Sequence, residues 1–247
     1  MGGAARYDGR GDRPGSGEMS CAPVPRGVDS GGGLRHAALG TLYDDIWRAS
    51  RPHYLRRDVV VEHVPIEGSA RWGISAVLRP STVHVFYGPE DLHVTVRSIE
   101  GYREAVPRGD HRVSLYERVL RRALEHLGPV TVEFAGLTAS RSSVLLQGWP
   151  VASLQDFRNR LYDMLSEVGA IVSGPELSRS SIRKTCHATL ALIGGPLEAP
   201  ERFVEFIDAH RATYYGRITF RQLELVRYHR TAAQVAVESL GTLPFRG

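Results

Sequence analysis

Apolar residues recur along this chain with two periods, and the period assigns the elements. Leu39, Leu42, Tyr43, Ile46 and Trp47 are spaced three and four apart, which predicts an amphipathic helix ending at Pro52. Val59-Val60-Val61 then offers the start of a short strand. Trp72, Ile74, Ala76 and Leu78 alternate with smaller or polar neighbours, which predicts a strand that Pro80 ends. Val113, Tyr116, Leu120, Leu124 and Leu127 form one stripe, so residues 112–127 read as a helix closed by Gly128-Pro129. Strands are expected over 131–137 and 143–147, before Gly148-Trp149-Pro150 breaks the chain. Leu154, Phe157, Leu161, Met164, Leu165 and Val168 predict a helix over 152–168, with Gly169 as its stop. Phe203, Phe206 and Ile207 carry a further helix over 199–211, and two last strands are expected over 217–227 and 234–240.

Two more strand-like runs, 92–98 and 182–193, alternate in a way that bears on chemistry. Leu92, Val94 and Val96 share one side, and Asp91, His93, Thr95 and Arg97 the other. Cys186, Ala188, Leu190 and Leu192 share one side, and Arg183, Thr185, His187, Thr189 and Ala191 the other. Each run opens a similar series: motif strand, helix, strand, strand. A duplicated α+β unit accounts for the order, and for the tetrapeptides His93-Val94-Thr95-Val96 and His187-Ala188-Thr189-Leu190 lying 94 residues apart.

Length and composition narrow the classes. A chain of 247 residues with 42% apolar and 23% charged residues is ordinary globular material. Residues 1–34 are rich in Gly, Pro, Ser and Arg and are expected to be disordered. Residues 35–247 are expected to form one domain, with a helical extension over about 36–57. Met19 is an alternative start, and Arg10-Gly11-Asp12 reads as a chance match to an adhesion tripeptide. No run of about 18 apolar residues suggests a membrane span, and no charged-then-apolar leader suggests export. Cys21 and Cys186 are the two cysteines, too few for a disulfide framework or a thiolate metal site. A reducing, cytoplasmic setting and a monomer are expected. The net charge of +4 comes with a single lysine, Lys184; the skew to arginine reads as codon bias and solvated faces before it reads as a polyanion surface.

Breaking a phosphodiester requires a base for the nucleophile and an acid for the leaving oxygen, and histidine, with an ordinary pKa of about 6.5, suits both. Threonine hydroxyls donate to the non-bridging oxygens. A lone His-x-Thr carries almost no information; two copies on alternating strands of a repeated unit make His93, Thr95, His187 and Thr189 the candidate catalytic residues. Arg97 and Arg183 fall on the same sides and are candidate phosphate contacts. Tyr87, Tyr228 and Trp72 are base-stacking platforms or core aromatics. The remaining histidines show no metal-ligand spacing, and no serine-hydrolase elbow or phosphate-binding Gly-rich loop is present. No metal and no other cofactor is expected. With one histidine neutral and the other protonated, the pH profile is expected to be bell-shaped, with both limbs between about pH 5 and 8.

These motifs resemble those of the 2H phosphoesterase superfamily, which includes 2′-5′ RNA ligase-like proteins and cyclic nucleotide phosphodiesterases. The signature is two His-x-Thr/Ser motifs, each followed by an apolar residue. Leu92-His93-Val94-Thr95-Val96 matches it throughout; Cys186-His187-Ala188-Thr189-Leu190 carries a cysteine at the apolar position before the histidine. The resemblance spans about residues 70–241. It implies a bilobal α+β fold with two antiparallel sheets facing a central cleft and helices outside. It also implies metal-free opening of a 2′,3′-cyclic phosphate on a nucleotide or RNA end, or a related reaction such as RNA ligation. A tailoring enzyme for a small phosphorylated metabolite and a non-catalytic nucleotide- or RNA-binding module remain as alternatives.

Overall fold

A computed structural model describes residues 32–60, 71–78, 92–101, 103–152, 154–171, 174–193, 197–230 and 235–246. The expected disorder of residues 1–34 lies almost wholly outside the described residues, and Gly32 already begins the first helix, α1 (Gly32–Leu55). The chain then builds β1 (Arg71–Leu78), β2 (Val94–Ser98), α2 (His111–Ala123), β3 (Val130–Ala139) and β4 (Ser143–Pro150). It continues through α3 (Leu154–Glu167), β5 (His187–Leu192), α4 (Pro200–Ala209), β6 (Tyr214–Phe220), β7 (Gln222–Arg230) and β8 (Val235–Pro244).

The fold is α+β, as the alternation and helical stripes require, but its strands form one curled antiparallel sheet rather than two sheets facing one another. The order is β6-β3-β4-β5-β2-β1-β7-β8. The motif strands β2 and β5 sit in the centre and pair through Val94 and Ala188, which joins two four-strand halves edge to edge. Each half mixes early and late strands: β3 and β4 lie beside β5, and β1 and β2 lie beside β7 and β8. Sequence order carries the expectation of a duplicated unit; it does not show this exchange of strands between halves.

Two core clusters hold the layers together. The larger places Tyr116, Leu120 and Ala123 of α2 and Leu154, Phe157, Leu161 and Leu165 of α3 against Val94, Val96, Cys186, Ala188, Leu223 and Leu225. The smaller packs Trp47 and Tyr54 of α1 and Val204 and Ile207 of α4 against Leu137, Ala139 and Ile193. Thus Val94, Val96, Cys186 and Ala188 face helices, as the alternation predicts, whereas Leu192, expected on the same side, is exposed.

Several boundaries differ from the sequence expectation, for local reasons. Pro52 lies inside the last turn of α1 rather than at its end. The helix closes two residues beyond Leu55 at Arg57, with φ 57°, in the left-handed region more often held by glycine. Asp58 N–H bonds to His53 O at 2.8 Å and Arg57 N–H to Tyr54 O at 3.0 Å, which satisfies the terminal carbonyls. Gly148-Trp149-Pro150 does not break the chain: β4 runs through it, and proline at a strand's last position loses little of the ladder. The last expected strand pair is three strands, β6 to β8, because Arg221 divides the first run into β6 and β7.

α1, which sequence patterning left without a role, is seated on the second motif. The buried Tyr43 hydroxyl bonds to the carbonyls of Gly148, at 3.1 Å, and Cys186, and the N–H groups of both residues lie 3.2 Å from it. Burial holds its phenol far above the ordinary pKa. Gly148 leaves the necessary room: a Cβ there would lie 2.8 Å from the Cys186 carbonyl oxygen.

Candidate active site

The central pairing of β2 with β5 assembles the four motif residues. Val94 faces Ala188 in an antiparallel ladder. Continuing that register sets His93 across from Thr189 and Thr95 across from His187. Directly opposed residues point to the same side of a sheet, so the four polar side chains share the face opposite the helices. All four are half-buried, whereas Val94, Val96, Cys186 and Ala188 are buried.

Both motif strands carry a β-bulge at the same motif position. Against β1, Ala76 pairs with Arg97 and Val77 with Thr95, so Val96 is the extra residue. Against β4, Val144 pairs with Ala191 and Leu145 with Thr189, so Leu190 is the extra residue. In each case the bulge is the apolar residue after the threonine. It reverses the inside–outside alternation beyond that point.

The bulge corrects the expectation for Arg97. Strict alternation places it beside Thr95; instead it shares the side of Ala76 and Val94 and is 0% exposed. Its guanidinium donates to the Glu176 carboxylate at 3.2 Å and the Glu176 carbonyl at 2.7 Å, and it lies over the Tyr162 ring. It is a core ion pair and is not brought to the histidines.

Arg183 does reach the site. Its Nη1 is 3.1 Å from His187 Nε2, and Thr185 Oγ1 is 3.0 Å from His187 Nδ1. A guanidinium only donates, so Nε2 accepts, and the ring proton sits on Nδ1 and is donated to Thr185. The pKa of His187 is pulled down to about 3, first by burial and then by the charges of Arg183, Arg158 and His93. His187 is therefore a neutral imidazole at neutral pH. Arg183 Nε is buried and has no hydrogen-bond acceptor among the described residues, and Glu176 Oε1 lies 3.8 Å away.

His93 has a different neighbour. Its Nε2 is 3.0 Å from the Tyr228 hydroxyl of β7, with ring centroids 5.5 Å apart. Tyr228, expected as a stacking platform or a core aromatic, thus lies beside His93 with its hydroxyl on the imidazole. Tyr87 lies outside the described residues, as does the Trp72 side chain. Among the described residues, no three His, Cys, Asp or Glu side chains converge as a metal site. Also among them, no helix is long and apolar enough to cross a membrane.

Sequence reading missed Glu176 and Arg158. Glu176 sits in irregular chain and left no periodic signal. Arg158 did leave one: it lies between Leu154 and Leu161 on the stripe that α3 buries, where a charge is out of place.

No protein-family model and no curated protein matches the chain. Solved structures similar to it include the following two. One is TT0787 of Thermus thermophilus, at 14% identity and a TM-score of 0.49, covering 72% of this chain and 98% of that one. The other is LigT of E. coli complexed with 3′-AMP, at 11% identity and a TM-score of 0.42, covering 72% and 100%. The functional reading rests on the site residues.

Proposed function

We propose that the protein is a 2H-type phosphoesterase that opens a 2′,3′-cyclic phosphate on a nucleotide or RNA end, without a metal, by acid–base chemistry between His187 and His93. The observation that supports this reading is the central pairing of Val94 with Ala188, a register that, continued one residue each way, sets both His-x-Thr motifs on one face. His187, neutral and accepting at Nε2, is the base; His93, across the ladder, is the acid.

In this scheme the substrate's non-bridging oxygens take Arg183 and the hydroxyls of Thr95 and Thr189. Water displaces the Arg183 Nη1–H from His187 Nε2. As the water oxygen bonds to phosphorus, its proton passes to Nε2. The bond from phosphorus to the ribose 2′ or 3′ oxygen breaks, and that oxygen takes a proton from His93. Solvent exchange then returns the proton from His187 and recharges His93. Each proton transfer contributes about 10²- to 10⁴-fold in rate.

The test is incubation with a panel of 2′,3′-cyclic nucleotides and RNAs bearing that end, with EDTA present. Ring opening is expected to persist under chelation. No turnover across the panel, or activity abolished by EDTA and restored by zinc or manganese, would overturn the reading. Joining of RNA ends in place of ring opening would assign the reverse direction.

A further inference from the structure

We propose that Arg158 is a positioning residue that locks the two His-x-Thr motifs into mutual register through the sheet, a role that rests on the phosphoesterase reading above. The residue is 1% exposed, and from α3 its guanidinium reaches the first motif and the segment that leads into the second. Nε donates to Val96 O at 2.8 Å and Nη2 to Thr95 O at 2.8 Å. Nη1 donates to Arg183 O at 3.1 Å, on the segment that leads into His187.

The first two acceptors lie at the bulge of the first motif, where the ladder is disrupted and carbonyls need partners from outside it. The third sets the backbone of the residue that contacts His187. One planar group with donors in a fixed fork therefore links the first motif to the segment entering the second. Packing alone does not call for a cation here. Leu154, Leu161 and Leu165 fill the same stripe, and an ion in a core is costly unless its donors are all used. All three donating nitrogens of Arg158 are used.

The same charge acts on His187. The charges that act on that imidazole are those of Arg183 from its own approach segment, Arg158 from α3, and His93 immediately before β2. Gln147 of β4 pairs across from it, Tyr228 of β7 lies behind His93, and Glu176 faces Arg183. Register and charge are thus two separable contributions of one side chain.

The test compares Arg158→Lys, Arg158→Met and, as a control, Leu161→Ala, a buried α3 residue whose apolar side chain has no donor for the motif carbonyls. Three readouts are taken: kcat on the cyclic-phosphate substrate, hydrogen exchange of segments 94–98 and 187–190, and NMR titration of the His187 ring in ligand-free protein. Arg158→Lys keeps the charge but loses the fork, so kcat is expected to fall about 10- to 100-fold, both segments to exchange faster, and the titration to stay in place. Arg158→Met is expected to lose at least as much rate and to move the titration upward, since a cation that opposes the imidazolium is gone. Leu161→Ala is expected to unfold at lower temperature with kcat and titration retained. Wild-type kcat and exchange in Arg158→Lys, or a proportionate loss of kcat in Leu161→Ala, would overturn the proposal. Should Arg158→Met not fold, the Lys and Ala variants decide. Should no phosphodiester turn over, the functional reading falls, while exchange and titration still report on Arg158.

Discussion

His93 and His187 are the same residue in the same motif, and their neighbours give them different work. Arg183 and Thr185 fix the tautomer of His187, burial and then the Arg183 charge keep it neutral, and His93 meets a phenol. His93→Ala and His187→Ala are each expected to lower kcat by at least about 10² on a ribose cyclic phosphate. On a substrate whose leaving group needs no protonation, His93→Ala should recover much of its rate and His187→Ala should not; equal damage would contradict the assignment. The pH profile changes accordingly. With His187 near 3, the acid limb due to the base lies well below the pH 5–8 window that sequence suggested. A bell with both limbs inside that window would count against His187 as the base. Stability follows the same group. A pKa depressed below the ordinary 6.5 means that protons bind the unfolded chain more readily. The stability contributed by neutral His187 is complete above about pH 6.5 and is lost as pH falls towards 3. Thermal denaturation should show a midpoint that drops between pH 7 and 4, and His187→Gln should flatten part of that drop. An unaltered slope would remove His187 as its source.

At the scale of elements, two devices shape the site that local patterning does not encode. One is the bulge after each threonine, which sends Arg97 into the core while leaving His93 and Thr95 on the site face. The other is α1, whose Tyr43 hydroxyl bridges the backbones of Gly148 and Cys186, one residue ahead of His187. Tyr43→Phe should cost about 1–3 kcal/mol in chemical denaturation, the range for leaving buried polar groups without a partner. It should also slow turnover modestly, because the strand entering His187 loses a support; wild-type stability would show that the backbone groups satisfy one another unaided. Helix existence is legible throughout: the stripes of α2, α3 and α4 place each helix within a few residues of its ends. Helix and strand ends are less so. Pro52 and Pro150 are strong punctuation in isolation, yet the left-handed Arg57 closes α1, and Pro150 sits where β4 no longer needs its N–H.

The whole molecule is two half-sheets meeting at one residue pair, and that junction is the candidate site. Ala188 is 2% exposed, lies opposite Val94 and packs with it in the core cluster with α2 and α3, which leaves little room for a larger side chain. Ala188→Leu should overpack the junction, at about 1–3 kcal/mol. It should also depress kcat, measured well below the unfolding temperature, by more than the change in folded fraction, because the two motifs would separate. If rate tracks folded fraction alone, the junction has no special part in aligning the motifs.

The sequence by itself determined the α+β class, the approximate positions of the helices and of most strands, and the candidacy of the two histidines and two threonines of the motifs. These follow from periods of two and about 3.6 residues and from the repetition of one tetrapeptide, all of which are local. Only the tertiary structure decided that the motif strands are neighbours in one sheet, that early and late strands are exchanged between its halves, and that Arg183 rather than Arg97 stands with His187. Strand pairing, bulges and the partners of Arg158, Glu176 and Tyr43 join residues tens to more than a hundred positions apart. Such contacts are set by which packing buries the apolar faces while satisfying every buried polar group, a condition on the whole chain that no window of sequence contains.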